Sequence, residues 1–119
     1  MTKKILVVDD DGEVRDLLKD ALEPMGYEIT TAEDGGEGLE QWGKGTWDLL
    51  ITDLLVPKLD GIRLAEAVRA THPKARILVI TAVAHSLEKE LQAAPIDGWL
   101  PKPLSIARLK ARVRELIES

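Results

Sequence analysis

Carboxylates directly follow two short apolar runs of the sequence, and they are the residues best suited to chemistry. Asp9–Asp11 come after the run Ile5–Val8, and Asp53 ends a second apolar run. Carboxylates that meet in a partly closed site repel one another, and a hard divalent cation removes that repulsion. Oxygen ligands without His or Cys favour Mg²⁺ over zinc. We therefore predict an Mg²⁺ site at Asp9, Asp10 and Asp53.

Two further polar residues follow apolar runs later in the chain. Thr81 ends the run that begins at Arg76, and Lys102 follows the short run from Asp97 to Pro101. The ammonium of Lys102 can pair with Asp53 or with a phosphate, and Thr81 supplies a hydroxyl donor. An Asp carboxylate is a known nucleophile for phosphoryl groups. The residue types thus predict phosphoryl transfer to Asp53, assisted mostly by positioning and charge neutralisation.

Each of these residues also has an ordinary structural explanation. Asp11 is suited to cap a helix N-terminus, and Asp53 can simply occupy a turn. Thr81 matches the β-propensity of a strand end, and Lys102 can be a solvated loop lysine. The functional hypothesis therefore depends on whether the fold brings the four strand ends to one place.

Strand and helix patterns alternate five times along the chain. This alternation with short loops predicts an α/β fold with a parallel sheet, helices on both faces and right-handed crossovers. The (βα)5 count suits the flavodoxin-like, doubly wound arrangement with strand order 2-1-3-4-5, in which strands 1, 3, 4 and 5 share one carboxyl edge. The predicted strands are 4–9, 27–31, 48–53, 76–81 and 97–101. The predicted helices are 14–25, with an irregular last turn at Pro24, 34–42, 62–71, 86–94 and 106–117.

Composition limits the remaining possibilities. A length of 119 residues suits a single domain over 1–119. The chain contains no Cys, so disulfides and thiolate metal sites are excluded, and a cytoplasmic location is expected. No apolar run approaches the roughly 18 residues that a membrane span needs. A net charge of −5 argues against direct nucleic-acid binding.

The whole chain resembles the response-regulator receiver domain of two-component systems, the family of the chemotaxis response regulator. The motifs that carry the resemblance are Ile5-Leu-Val-Val-Asp9-Asp10-Asp11, Ile51-Thr-Asp53-Leu-Leu-Val-Pro57-Lys-Leu-Asp60-Gly61, Ile80-Thr81-Ala82 and Trp99-Leu-Pro-Lys102-Pro103. The resemblance implies that Asp53 accepts a phosphoryl group from a histidine kinase phosphohistidine or a small phosphodonor. It also implies that the domain is not an enzyme for separate substrates and catalyses only its own phosphotransfer and dephosphorylation.

The resemblance also assigns roles around Asp53. It implies that Asp10 binds Mg²⁺ directly, Asp9 binds it through water, and the backbone carbonyl of Leu55 is a further ligand. Lys102 would contact the phosphoryl group. The switch residues would be Thr81, which swings toward the phosphoryl group, Ala82, which leaves room behind it, and Trp99, which takes the place of a rotating aromatic.

Two features depart from the commonest family pattern. Trp99 is larger than the usual Tyr or Phe, and its only polar group is an indole N–H donor, so it can be either a switch or a fixed aromatic. Leu55 and Val83 stand where the family varies its dephosphorylation rate. Because both are apolar, neither can orient an attacking water, and we expect a long-lived phosphoryl group.

The expected partners are a sensor histidine kinase or phosphotransfer protein and an effector or output domain of unknown identity. The face built from the fourth helix, fifth strand and fifth helix is expected to respond to phosphorylation. The fifth helix carries four basic residues, Arg108, Lys110, Arg112 and Arg114. They form either a solvated surface or, with Asp97, Glu88 and Glu90, a dimer patch.

Other protein classes fit less well. A dehalogenase-like phosphatase needs a second Asp where Leu55 stands, and a flavodoxin needs a phosphate loop where the chain has Asp9–Asp11. A Gly-rich phosphate loop ending in Lys-Ser or Lys-Thr is missing from the sequence, which excludes a P-loop nucleotidase. A pseudo-receiver, an interaction module that is never phosphorylated, stays open as an alternative.

Overall fold

Strands and helices alternate through residues 2–118, which are the residues that the computed structural model describes. The strands are β1 (Lys4–Val8), β2 (Glu28–Ala32), β3 (Leu49–Asp53), β4 (Ile77–Thr81) and β5 (Gly98–Pro101). The helices are α1 (Gly12–Leu22), α2 (Gly35–Lys44), α3 (Gly61–Thr71), α4 (Glu88–Ala93) and α5 (Ile106–Glu118). Every predicted element is present, and no boundary differs from its predicted position by more than three residues. In the described residues, no helix is both long and apolar enough to cross a bilayer.

All five strands form one parallel sheet in the order β2-β1-β3-β4-β5. This confirms the predicted flavodoxin-like arrangement. Strands β3 and β4 are buried at every position because helices cover both faces of the sheet. The alternating run Tyr27-Glu-Ile-Thr-Thr predicts a less buried second strand, and in β2 only Ile29 and Ala32 are buried.

Alternate residues of each strand point to opposite faces of the sheet and build two core layers. On one face, Ile5, Val7, Leu49, Ile51, Leu78 and Ile80 pack with Leu18 and Leu22 of α1 and Leu109 and Val113 of α5. On the other, Leu6, Val8, Leu50 and Ile77 pack with Trp42 of α2 and Leu64, Ala65 and Val68 of α3. Helices therefore pack against both faces of the sheet, and this packing holds the carboxyl ends of the strands in place.

Helix α1 illustrates where the sequence pattern succeeded and where it failed. Asp11 caps the helix by accepting a hydrogen bond from the Glu13 amide over 2.9 Å, as expected. Pro24 lies in a separate 3₁₀ turn after the helix, and Gly26 ends that turn with a φ of 95°. The spacing of Val14, Leu17, Leu18, Ala21 and Leu22 predicts one apolar helix face that includes Leu17. For Leu17 this prediction is wrong, since the residue is 42% exposed. It lies beside the buried stripe rather than within it.

Helix α4 is the shortest of the five and contributes a single buried residue, Leu91. Leu87, predicted to lie within it, is the half-buried residue that precedes its first turn. Leu91 packs with Leu54 and Val79 in a small third cluster, against which Trp99 also lies. This cluster links the segment after β3 to α4 and β5.

Candidate functional site

The carboxyl edge of the sheet brings together the acids that follow β1 and β3. Asp9 is fully buried and Asp53 is 8% exposed, whereas Asp10 faces solvent. One carboxylate oxygen from each of the three lies within 4.8 Å of the others. Three such oxygens are spaced to bind one divalent cation, and their hard oxygen donors suit Mg²⁺. The three acids selected from the sequence therefore do converge.

Lys102 reaches into this cluster from the segment after β5. Its Nζ donates to Oδ2 of Asp53 over 2.7 Å and to Oδ2 of Asp9 over 3.0 Å. The Lys102 backbone amide donates to the carbonyl of Thr81 over 2.9 Å, which fixes the start of this segment to the end of β4. Lys102 is thus a largely buried cation that pairs with two acids, and it is not a solvated loop lysine.

Burial and the neighbouring charges together shift the pKa values of Asp9 and Lys102. Burial raises the pKa of Asp9 above its usual 3.8, although the Asp11 amide and the Lys102 ammonium act against that rise. Burial alone would lower the pKa of Lys102, but its hydrogen bonds to Asp53 and Asp9 and their negative charges raise it above 10.5. Burial therefore favours the protonated form of Asp9 even though a lysine is adjacent.

Both oxygens of Asp53 accept hydrogen bonds. Oδ1 accepts from the Leu55 amide over 3.2 Å, and Oδ2 accepts from Lys102. The Leu55 side chain projects away from the core and is 58% exposed. Its carbonyl stays a predicted metal ligand.

The predicted switch residues lie on neighbouring strands next to the cluster. Thr81 is fully buried at the end of β4, and its Oγ1 accepts a hydrogen bond from the Val83 amide over 3.2 Å. Ala82 follows it and is exposed. Trp99 is half-buried on β5, where it packs with Val83 against the third cluster. The Thr81 hydroxyl is thus engaged locally, and its movement remains a prediction.

Sequence reasoning missed Arg15, whose Nη1 donates to the backbone carbonyl of Asp9 over 2.7 Å. It also missed the Asp11 amide, which donates to Oδ1 of Asp9 over 2.9 Å. Arg15 lies four residues after the helix cap on α1, so a helical projection could have directed it toward the β1 end. A hydrogen bond to a carbonyl leaves no other signal in the sequence.

Asp97, considered from the sequence as part of an open charged patch, is instead engaged at the opposite edge of the sheet. Its Oδ2 accepts from the Ile77 amide over 2.7 Å and from Arg69 over 3.2 Å, and Arg76 lies 3.7 Å from Oδ1. Arg112 donates to the Asp97 carbonyl over 2.6 Å. These contacts give Asp97 and Arg112 a structural role in joining α3, β4, β5 and α5.

Comparison with known proteins agrees with this geometry. The family model of the response regulator receiver domain matches residues 5–114. Response regulator MprA of Mycobacterium ulcerans is 39% identical over 118 residues, which cover 98% of this chain and 51% of that protein. The chain therefore spans about half the length of this curated relative.

Solved structures show the same fold. The response regulator TrrA of Thermotoga maritima, in complex with Mg²⁺ and BeF, superposes with a TM-score of 0.90 at 37% identity, covering 97% of this chain and 99% of that one. The receiver domain of the sensor histidine kinase PA1611 from Pseudomonas aeruginosa has a magnesium ion coordinated in its active-site cleft. It superposes with a TM-score of 0.91 at 27% identity over the full length of both chains.

Proposed function

The chain belongs to the response regulator receiver domain family, and from this membership we propose that it is the phosphoacceptor of a two-component phosphorelay. Asp53 would receive a phosphoryl group from the phosphohistidine of a sensor histidine kinase or phosphotransfer protein in the cytoplasm. The observation that carries the proposal is the Lys102–Asp53 hydrogen bond of 2.7 Å beside a cluster of three acids. That combination supplies a nucleophile, a cation and a metal site in one place.

The donors present at the site fit Mg²⁺. Asp10 and Asp53 would hold the ion directly together with the Leu55 carbonyl, and Asp9 would hold it through water. When bound, the ion neutralises charge on the oxygens of the transferring phosphoryl group. Mg²⁺ typically keeps several waters and binds one or two carboxylates. Because Asp10 is exposed to solvent, the site leaves room for those waters and for a phosphoryl oxygen.

The transfer is a displacement at phosphorus. A carboxylate oxygen of Asp53 forms a new P–O bond while the P–N bond to the donor imidazole breaks. The electron pair of that bond stays on the imidazole nitrogen. Lys102 leaves the Asp53 oxygen that it contacts and pairs with the phosphoryl oxygens. The Leu55 amide keeps Asp53 oriented through Oδ1.

Phosphorylation adds roughly −1.5 to −2 charge to the site, and this charge would drive the switch. Thr81 exchanges its hydrogen bond with the Val83 amide for one to the phosphoryl group, and Trp99 moves in response. The readout is then the face formed by α4, β5 and α5, used for an effector or for a phosphorylation-dependent homodimer. Loss of phosphorylation-dependent partner binding in Thr81→Ala tests this coupling, and unchanged binding contradicts it.

The decisive experiment is intact-mass analysis after incubation with acetyl phosphate and Mg²⁺. The wild-type chain is expected to gain the mass of one phosphoryl group, and Asp53→Asn is expected to gain none. Omitting Mg²⁺ should abolish the gain in the wild type. Failure to label with either acetyl phosphate or phosphoramidate would instead support a pseudo-receiver.

A further inference from the structure

Asp9 is held on all of its polar groups by separate elements of the fold. Its backbone amide donates to the Ala32 carbonyl at the end of β2 over 3.1 Å. Its carboxylate accepts from the Asp11 amide and from Lys102. Its backbone carbonyl accepts from Nη1 of Arg15 over 2.7 Å. Of these contacts, only the one from Lys102 takes part in the proposed phosphoryl chemistry, and the one from Arg15 is the only one in which a second charged side chain holds the Asp9 backbone.

The Asp9 carbonyl determines where the next acid lies. A peptide unit is planar, so the carbonyl of Asp9 shares a plane with the nitrogen and Cα of Asp10. β1 ends at Val8, and the Asp9–Asp10 peptide therefore lies beyond the last residue of the strand. The Arg15 hydrogen bond restrains the rotation of this peptide, and the bond from the Asp11 amide to the Asp9 carboxylate closes the turn that follows it.

The Arg15 side chain is mostly buried, and its strongest interaction is the hydrogen bond to the Asp9 carbonyl. The Arg15 side chain is only 19% exposed, although it is charged. Gly12 makes room for it, since a Cβ there would lie 3.3 Å from Nη2. Its second partner, Glu33, is 3.7 Å away and largely exposed, so that ion pair contributes little. The hydrogen bond to the Asp9 carbonyl is consequently the main interaction of this guanidinium.

We infer that Arg15 is a positioning residue for the divalent-cation site, which it maintains by orienting the peptide between Asp9 and Asp10. The inference rests on the proposed function, because it assigns Arg15 a role in the Mg²⁺ site that the proposed function requires. Arg15 touches neither the ion nor the phosphoryl group in this scheme. It acts through the backbone that carries the two acids.

This role can be distinguished from a simple charge effect because the two predict opposite changes in Mg²⁺ affinity when Arg15 is replaced. Arg15 is a cation near a cation site, so removing its charge would tighten Mg²⁺ binding if electrostatics alone operated. Losing the orientation of the Asp9–Asp10 peptide would weaken binding instead. Outer-shell groups that orient metal ligands typically change metal affinity by about tenfold or more.

The test is Mg²⁺ titration of the full chain by isothermal calorimetry, without any phosphodonor. Arg15→Gln is expected to weaken Mg²⁺ binding about tenfold. Arg15→Lys keeps the charge and one donor, and its affinity should fall between those of the wild type and Arg15→Gln. Lys19→Gln removes an equal charge at an exposed position one turn further along the same helix, where Lys19 makes no hydrogen bond to Asp9, and should leave the affinity unchanged.

Urea unfolding of each variant establishes that the titrated protein is folded, and Arg15→Lys carries the test if Arg15→Gln does not fold. Mg²⁺ affinity equal to or above that of the wild type in every folded Arg15 variant overturns the inference. That result leaves the proposed function intact, because wild-type binding and phosphorylation are measured separately. A wild-type chain that binds no Mg²⁺ overturns both.

Discussion

Nζ of Lys102 lies 2.7 Å from Oδ2 of Asp53 and joins the segment after β5 to the end of β3. The same ammonium is 3.0 Å from the buried carboxylate of Asp9. One cation therefore serves two acids that would otherwise face each other at the carboxyl edge of the sheet. The stability of the metal-free protein should depend on it.

Lys102→Met is expected to lower the free energy of unfolding by about 2 kcal/mol at neutral pH in a chelating buffer, since hydrogen bonds to charged groups are lost. The pKa of Lys102 is raised above 10.5 in the folded protein, so the lysine stabilises the fold fully below pH 10.5. That stabilisation disappears as pH rises through the folded-state value. Urea unfolding, followed by tryptophan fluorescence, should show the difference between wild type and variant shrinking above pH 10.5.

The control is Lys44→Gln, which breaks the exposed pair with Glu40 on α2. It should leave the stability nearly unchanged at every pH, because exposed ion pairs contribute little. Equal effects of the two substitutions would show that Lys102 is an ordinary surface lysine.

Asp9→Asn is expected to act in the opposite direction and to stabilise the metal-free protein at neutral pH. Burial raises the pKa of Asp9 above 3.8, so the folded state binds a proton more readily than the unfolded state does. The ionised carboxylate therefore reduces stability as pH rises from 3.8 through the folded-state pKa. The advantage of the Asn variant should be largest above that pKa and should vanish as pH falls toward 3.8.

With Mg²⁺ bound, the wild type should become more stable than Asp9→Asn. The wild type gains stability from an ion that binds only the folded state, whereas Asp9→Asn lacks one of the three acids of the cluster. Thermal unfolding with and without Mg²⁺ measures both effects in one experiment. An Asn variant that is less stable without the ion, or that gains as much as the wild type with it, contradicts the prediction.

Gly61 begins α3 in direct contact with the backbone that carries Asp53. A Cβ at Gly61 would lie 2.5 Å from the Asp53 carbonyl oxygen and 2.9 Å from Cα of Leu54. Backbone atoms cannot yield as a flexible side chain can, so Gly61→Ala should destabilise the fold by about 2 kcal/mol or more. It should also reduce phosphorylation of Asp53, because the end of β3 must shift.

Gly43 provides the matched control for Gly61. It lies near the end of α2, where a Cβ would meet nothing within 4 Å. Gly43→Ala removes backbone freedom from the unfolded chain and should stabilise the protein by about 0.5 kcal/mol. If chemical denaturation shows that Gly61→Ala is as stable as the wild type or more stable, as Gly43→Ala is expected to be, the steric role of Gly61 is contradicted.

The architecture was predictable because each strand is a short apolar run and each helix shows one apolar face. Periodicity identifies a buried face but not how far a neighbouring element covers it, which is why Leu17 was misplaced. The convergence of Asp9, Asp10 and Asp53 followed from strand order alone, since parallel strands bring their ends to one edge.

Contacts that depend on side-chain reach were not predictable in the same way. The hydrogen bond from Arg15 to the Asp9 carbonyl joins a helix side chain to a backbone atom of any residue type. No residue pattern marks such an acceptor. The engagement of Asp97 by Arg69 and Arg76 was hidden for a related reason, because charged residues spaced along a sequence do not show which of them meet.

Leu55 should control how long the phosphoryl group lasts. In hydrolysis, a water oxygen forms a bond to phosphorus, the P–O bond to Asp53 breaks, and inorganic phosphate leaves with a proton released to solvent. The 58% exposed Leu55 side chain offers that water no hydrogen bond, and neither does half-buried Val83. Leu55→Asn supplies an amide that can orient the water and should shorten the phosphoryl half-life severalfold.

The measurement for Leu55 is intact mass against time after the phosphodonor is removed, with Mg²⁺ present. Leu39→Asn is the control, because Leu39 is also an exposed leucine, 37% accessible, and lies within α2 rather than at a strand end that carries the site. The wild type and the control should stay phosphorylated for minutes or longer. A wild-type half-life of seconds, or equal lifetimes for Leu55→Asn and Leu39→Asn, would mean that another group orients the water and that the apolar pair does not slow hydrolysis.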